Sequence, residues 1–203
     1  MSENTEDGVF MKLFKLLIII ALIMFSSSLF AQNNKDFLNI GNKITFNGED
    51  FYFGYSSNPL KNYYFEEFFP KNDIPERFNK MFTVTIFLND AANPKDAVAT
   101  KVSEIERRKQ TDPICNYMVY EKDNEFILDF LVSKSDGENL DFVEHNVHHY
   151  KQVSINGNNG IQINFYSHRD YCDDITPFLK NLKTEKEKII MELTKTNIDC
   201  SLK

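Results

Sequence analysis

The four histidines are the residues best suited to chemistry in this chain, because imidazole binds metal ions and exchanges protons near neutral pH. All four fall in two predicted strands: His145, His148, His149 and His168. On a strand, residues four apart share a face but lie about 13 Å apart, given a rise of about 3.3 Å per residue. That distance is too long for His145 and His149 to share an ion. The sequence therefore favours a pair across two strands.

The cross-strand pair that the pattern favours joins His148 and His168. If Ile155 pairs with Ile161, these two histidines lie opposite each other, with Cβ atoms about 4.5 to 5.5 Å apart. A zinc site needs three or four converging ligands. The candidates for a third ligand are Glu144 and Asp170.

The alternative reading of the histidines is structural. The same alternation leaves His148 and His168 on the polar face, where a solvated pair is the ordinary outcome. His145 and His149 then lie on the apolar face, where we expect partly buried side chains with hydrogen-bond partners.

Sequence patterns of enzymes are missing. The chain has no Gly-x-Ser-x-Gly, no Ser-x-x-Lys and no Gly-rich phosphate loop. The adjacent acids Glu66-Glu67 and Asp173-Asp174 point in opposite directions if they lie on strands, which does not suit paired-carboxylate hydrolysis. The sequence predicts neither an enzyme nor a cofactor.

Aromatic residues are concentrated early in the chain, within residues 51–69. The whole chain has nineteen Phe and nine Tyr but no Trp. Alternation along the two predicted strands places Tyr52, Tyr64 and Phe68 on an outward side. These three rings are the candidates for a partner-binding surface, although cover by the core and the closing helix is the more common outcome for large aromatic side chains.

The N-terminal residues have the order of a secretory signal peptide: basic Met11–Lys15, apolar Leu16–Phe25, then small residues up to Ala31. The apolar run is too short to span a bilayer, which takes about 20 residues. We expect cleavage after Ala31, with an uncleaved anchor as the alternative. Residues 1–10 are acidic and would weaken an export signal, so a start at Met11 fits better. The prediction is a periplasmic or secreted single domain, residues 32–203, without a stable membrane span.

Three cysteines, Cys115, Cys172 and Cys200, allow at most one intramolecular disulfide. Export favours such a bridge, since disulfides persist outside the cytosol, and three unpaired thiols are the alternative. No cysteine lies near Ala31, so we expect no lipid anchor. The net charge of -7 and pI of about 5.2 argue against a nucleic-acid partner.

The periodicity predicts an α+β fold. A hairpin turns at Asn47-Gly48, and a helix is capped by Asn93. A four-stranded meander occupies residues 116–169, and a closing helix is capped by Thr176 with Pro177 at its first position. The expected architecture is an antiparallel β-sheet with a β-meander, one helix between strands and a C-terminal helix packed on the sheet.

Three segments carry a family resemblance: Phe78–Thr83, Val143–Asn146 and Asn164–Arg169. In them and in its order of elements, the chain resembles the PsbP/DcrB-like superfamily of small exported α+β domains, from about Ile44 to Thr196. The resemblance implies an accessory or binding role. We therefore expect an exported accessory protein that binds a protein partner in the cell envelope through the aromatic hairpin face or the sheet edge. A metal-binding protein using His148 and His168 is the alternative.

Overall fold

One antiparallel sheet of eight strands dominates the fold. The computed structural model describes residues 35–136 and 139–203, which form one compact unit. The predicted signal peptide and its cleavage site at Ala31 lie outside the described residues. In chain order the elements are β1 Lys43–Phe46, β2 Glu49–Leu60, β3 Tyr63–Phe69, β4 Lys80–Leu88, α1 Pro94–Arg108, β5 Asn116–Lys122, β6 Glu125–Asp136, β7 Asn139–Ile155, β8 Asn158–Tyr171 and α2 Ile175–Lys195.

The strand order β1-β2-β3-β4-β8-β7-β6-β5 corrects the predicted architecture. Strands β1–β4 form one meander and β5–β8 form a second, and the pairing of β4 with β8 joins them into a single sheet. The β5–β8 meander and the C-terminal helix on the sheet match the prediction in part, but the predicted sheet with one helix between strands is wrong as a description of the eight-stranded fold. Helix α1 follows β4 along the chain, but in the sheet it separates no strands, since it packs on β5, β6 and β7.

The two helices cover opposite faces of the sheet. On the α1 side, Lys101 lies 5.8 Å from the centre of the Phe130 ring. On the α2 side, Ile189 and Leu193 pack into the main core with residues of β1 to β4. The buried aromatic and aliphatic residues of this main core include Phe46, Phe51, Phe68, Phe82, Val84 and Ile86. Burial of this much apolar surface is the main stabilising contribution to the fold.

Helix boundaries follow from capping. The side chain of Asn93 accepts a hydrogen bond from the Asp96 amide at 2.9 Å, and Pro94 occupies the first turn. Helix α2 begins at Ile175, after a 3-10 turn over Cys172–Asp174, and so starts two residues before the predicted first position, Pro177. Among the described residues, no helix is both long enough and apolar enough to cross a membrane.

Both ends of the described chain are fastened together on the α2 side. The Ser201 amide donates to the Leu38 carbonyl at 3.0 Å, and the Lys203 ammonium group lies 2.6 Å from the Asp36 carboxylate. The Leu38 amide in turn donates to buried Glu66 at 2.9 Å. These contacts hold the C-terminal tail in place with non-covalent interactions.

Candidate functional site

The register of β7 and β8 does not bring His148 and His168 together. Ile155 pairs with Asn158 rather than with Ile161, so His148 lies opposite Phe165 and His168 lies opposite His145. A three-residue shift exchanges the two faces of a strand, because the side-chain period is two. The predicted register is wrong because the turn contains only two residues, Asn156 and Gly157, both with positive φ.

His148 is buried on the α1 side among aromatic rings. Its ring centre lies 4.6 Å from that of Phe165 and 5.0 Å from that of Phe130, and its Nδ1 lies 3.1 Å from the Tyr150 hydroxyl. Burial, and secondarily the charge of Lys101, holds the pKa of His148 well below its ordinary value. This histidine is a neutral core residue at physiological pH.

His168 lies on the opposite face, in a groove beside α2. Burial, and secondarily the charge of Lys80, lowers the pKa of His168 to about 4. Its ring packs edge-on against Phe178 at 4.7 Å between centres. The groove has a volume of about 230 Å³ and is lined mainly by His168, Asp170, Asp174, Phe178, Asn181 and Glu185.

The proposed third ligands do not complete a metal site. Glu144 is engaged on the α1 side, where its carboxylate accepts a hydrogen bond from Arg169 at 2.8 Å. Asp170 lies 3.6 Å from His168, and burial together with the charge of Asp174 raises its pKa. Within the described ranges, no three His, Cys, Asp or Glu side chains converge closely enough to hold a metal ion.

A buried polar network lies under α2. The Asp129 carboxylate lies 2.7 Å from Nε2 of His145 and 2.6 Å from the Lys186 ammonium group. Burial alone would raise the pKa of Asp129, but its hydrogen bonds with His145 and Lys186 outweigh burial and lower it. An Asp–His pair recurs in nucleophilic catalysis, but here the third member is a lysine of α2. The network therefore anchors the helix to the sheet.

The three aromatic residues predicted to form a partner surface do not share a face. Tyr52 is exposed, whereas Tyr64 and Phe68 lie on the α2 side, and Phe68 is fully buried against the main core. A bulge at Gly54 reverses the alternation along β2, so that Phe53 and Tyr55 point to opposite faces. The bulge suits glycine, since a Cβ there would lie 2.6 Å from the Phe69 ring.

The three cysteines are free and lie in different parts of the fold. Cys115 is buried near the end of α1, with its sulfur 3.7 Å from the Ile105 carbonyl. Cys172 is exposed after β8. Cys200 packs against the main core, and burial raises its pKa to about 12. The structure thus joins none of the three disulfide candidates.

The predicted meander begins at residue 116, as β5 does, but the sequence did not identify β5 as an edge strand with exposed apolar side chains. This strand pairs only with β6 among the described strands and so forms one edge of the sheet. Three consecutive side chains on it are exposed: Met118 by 50%, Val119 by 41% and Tyr120 by 40%. The apolar run Met118-Val119-Tyr120 could have drawn attention to this strand. However, an edge strand cannot be distinguished from a central strand by sequence when the apolar residues of the strand do not alternate with polar ones.

The β5 edge is regular and unprotected. Its seven residues pair with β6 without a register shift, and it contains no proline or glycine. Edge strands are usually blunted by bulges, prolines or inward-pointing charges, because their free amide and carbonyl groups pair readily with another strand. An edge without these devices can accept an added strand.

A protein-family model matches residues 38–198, most of the chain. No curated protein matches the sequence.

Proposed function

We propose that this chain, which belongs to the family whose model matches residues 38–198, is an exported accessory protein. It binds an extended segment of a protein partner by strand addition at β5. The observation that carries the proposal is the regular β5 edge with three consecutive exposed apolar side chains, Met118, Val119 and Tyr120.

The occupant we favour is an extended peptide segment because of what the edge offers. Outward-facing amide and carbonyl groups of β5 form a row that another strand satisfies, and main-chain hydrogen bonds would supply affinity. Met118 and Tyr120 project on one side of the strand and Val119 on the other. These side chains would select apolar residues in the partner. The strand ends with one negative and one positive side chain, Glu121 and Lys122. This favours a partner segment that carries charges of both signs or no charge.

Export is supported by the N-terminal pattern of basic, apolar and small residues. The family match begins at residue 38, shortly after the expected cleavage at Ala31. Nε2 of His145 contacts Asp129, whereas its Nδ1 has no hydrogen-bond partner among the described residues. No hydroxyl or thiol group there completes a catalytic triad, which supports a binding role over catalysis.

Site-specific photocrosslinking tests the proposal. We would place a photoreactive phenylalanine at Asn116 on β5 in the full chain, expressed in an exporting host. The matched control carries the same group at Ile74, an exposed apolar residue outside β5. We expect one dominant crosslinked partner from Asn116 and none in common with Ile74.

A second substitution separates strand addition from chance proximity. Met118→Lys with Tyr120→Lys places two charges on the exposed side of β5 and should abolish the Asn116 crosslink without unfolding the chain. Products shared by both probe positions, or a crosslink that survives the two lysines, would contradict the proposal. A crosslinked product of twice the chain's mass would show that β5 binds a second copy of the chain instead of a different protein.

A further inference from the structure

Glu67 is a half-buried carboxylate with no described cation beside it. It lies on β3, on the α1 side of the sheet, where its register neighbours are Tyr55 on β2 and Thr83 on β4. None of the ion pairs formed by the described residues involves Glu67. A carboxylate in such surroundings is unusual unless it is paired.

Thr83 supplies an independent sign of a missing partner. It is only 1% exposed, and its hydroxyl has no hydrogen-bond partner among the described residues. Because Thr83 pairs directly with Glu67, the hydroxyl and the carboxylate project from neighbouring strands onto the same face. Buried hydroxyl groups normally find partners. One donor group placed between these two residues would satisfy both.

Two aromatic residues are neighbours of Glu67 on the same face: Tyr55 is its register partner on β2, and Phe65 lies two residues before it on β3. The Phe65 ring lies 5.8 Å from that of Tyr55 and 6.1 Å from that of Tyr63, measured between centres. The Tyr63 hydroxyl is engaged with Thr85, and the charge of Glu67 adds to the burial that raises the pKa of Tyr63. Ring faces attract cations, most strongly where water is excluded.

The pair lies outside the area that α1 covers. Helix α1 packs on β5, β6 and β7, and strands β4 and β8 separate those strands from β3. Residues on this part of the face are each half-buried, so it is only partly covered: Glu67, Tyr55, Phe65 and Tyr63.

We propose that Glu67, Thr83 and the rings of Tyr55 and Phe65 form a binding site for a primary ammonium group. An ammonium group has three donors, enough to serve the Glu67 carboxylate and the Thr83 hydroxyl together, and its charge suits the rings. Burial raises the pKa of Glu67 to about 7, and a bound cation would restore the ionised carboxylate. The site is independent of strand addition at β5.

Nuclear magnetic resonance of the Glu67 carboxyl carbon tests the site in the full chain purified from an exporting host. The probes are n-butylammonium chloride and acetyl-Gly-Lys-Gly-amide, with n-butanol and sodium chloride as the uncharged and ionic controls. We expect saturable shifts with both ammonium probes, a lowered apparent pKa for Glu67, and no saturable response to either control. Tighter binding of the free amine assigns the site to small amines, and tighter binding of the peptide assigns it to a protein lysine.

Three variants make the result specific. Glu67→Gln should weaken ammonium binding at least tenfold and Thr83→Val several-fold, whereas Glu121→Gln on exposed β5 should leave it unchanged. Equal binding by Glu67→Gln and the parent would overturn the proposal. So would a Glu67 carboxyl whose pKa does not respond to either ammonium probe.

Discussion

Buried titratable side chains make the stability of this sheet depend on pH. His148 and His168 both lie in surroundings that lower the histidine pKa, while Glu67 lies where the pKa of a carboxyl rises to about 7. Because of these two histidines, the folded chain loses stability as the pH falls below about 6.5, the pKa of a histidine in the unfolded chain. Glu67 acts in the opposite sense, because the folded state keeps its proton up to about pH 7 while the unfolded chain loses it near 4.5.

His148→Phe should reduce the loss of stability in acid. In the parent, the unfolded chain takes up a proton on this histidine below about pH 6.5 while the folded chain does not. That difference costs about 1.4 kcal/mol per pH unit down to the folded-state pKa. The measurement is urea unfolding at pH 7.5 and pH 5.0. The lost contact with the Tyr150 hydroxyl affects both values equally, so a parent-to-variant difference that is the same at both pH values would show this assignment to be wrong.

Lys186→Met should loosen α2. It removes one of the two groups that contact the buried Asp129 carboxylate. We expect a loss of roughly 1 to 3 kcal/mol in the free energy of unfolding, since Lys186 is itself partly exposed. Lys183→Met, at an exposed position of the same helix, is the control and should change stability by less than about 0.5 kcal/mol. Urea unfolding measures both. Equal effects of the two substitutions would mean that the network does not anchor the helix.

At the scale of elements, local signals in the sequence predicted turns better than registers. The hairpin at Asn47-Gly48 is confirmed, with Phe46 paired to Glu49 and positive φ at both turn residues. The second such turn, Asn156-Gly157, lies in a run rich in Asn and Gly that reads equally well as a five-residue loop. The prediction used the five-residue loop, which assigned each residue of β8 to the wrong face of the sheet. For that reason it paired His148 with His168, which lie on opposite faces.

The bulge at Gly54 and the pairing of β4 with β8 could not be predicted from the sequence, for a different reason. A bulge depends on which ring packs over the glycine, and here that ring is Phe69, fifteen residues away in the chain. The β4–β8 pairing joins Leu88 to Gly160 across the whole second half of the fold. Neither contact leaves a local pattern.

Gly160→Ala should disrupt the seam between β4 and β8. A Cβ at this position would lie 2.2 Å from the carbonyl oxygen of Phe87, which is backbone and cannot swing away. We expect a loss of about 3 kcal/mol or more, or a failure to fold. Thermal unfolding provides the measurement, with Asn159→Ala, at an exposed neighbouring position, as the control. Near-parental stability of Gly160→Ala would contradict the β4–β8 pairing.

At the scale of the whole molecule, the two ends of the sheet differ. One edge is β1, a strand of only four residues, and the other is β5, with seven residues and three exposed apolar side chains. Because β4 pairs with β8, the two meanders form one sheet, and β5 lies at the end of the sheet opposite to β1. The proposed function depends on this edge being open in the free protein.

Amide hydrogen exchange of the free, monomeric chain tests that claim most directly. If β5 is an open edge, alternate amides within Asn116–Lys122, those that face away from β6, should exchange at nearly the rate of an unstructured peptide. Amides of β7 and β8, which are paired on both sides, should exchange far more slowly. Uniformly slow exchange along β5 would mean that the edge is already covered and would contradict strand addition as the function of this protein.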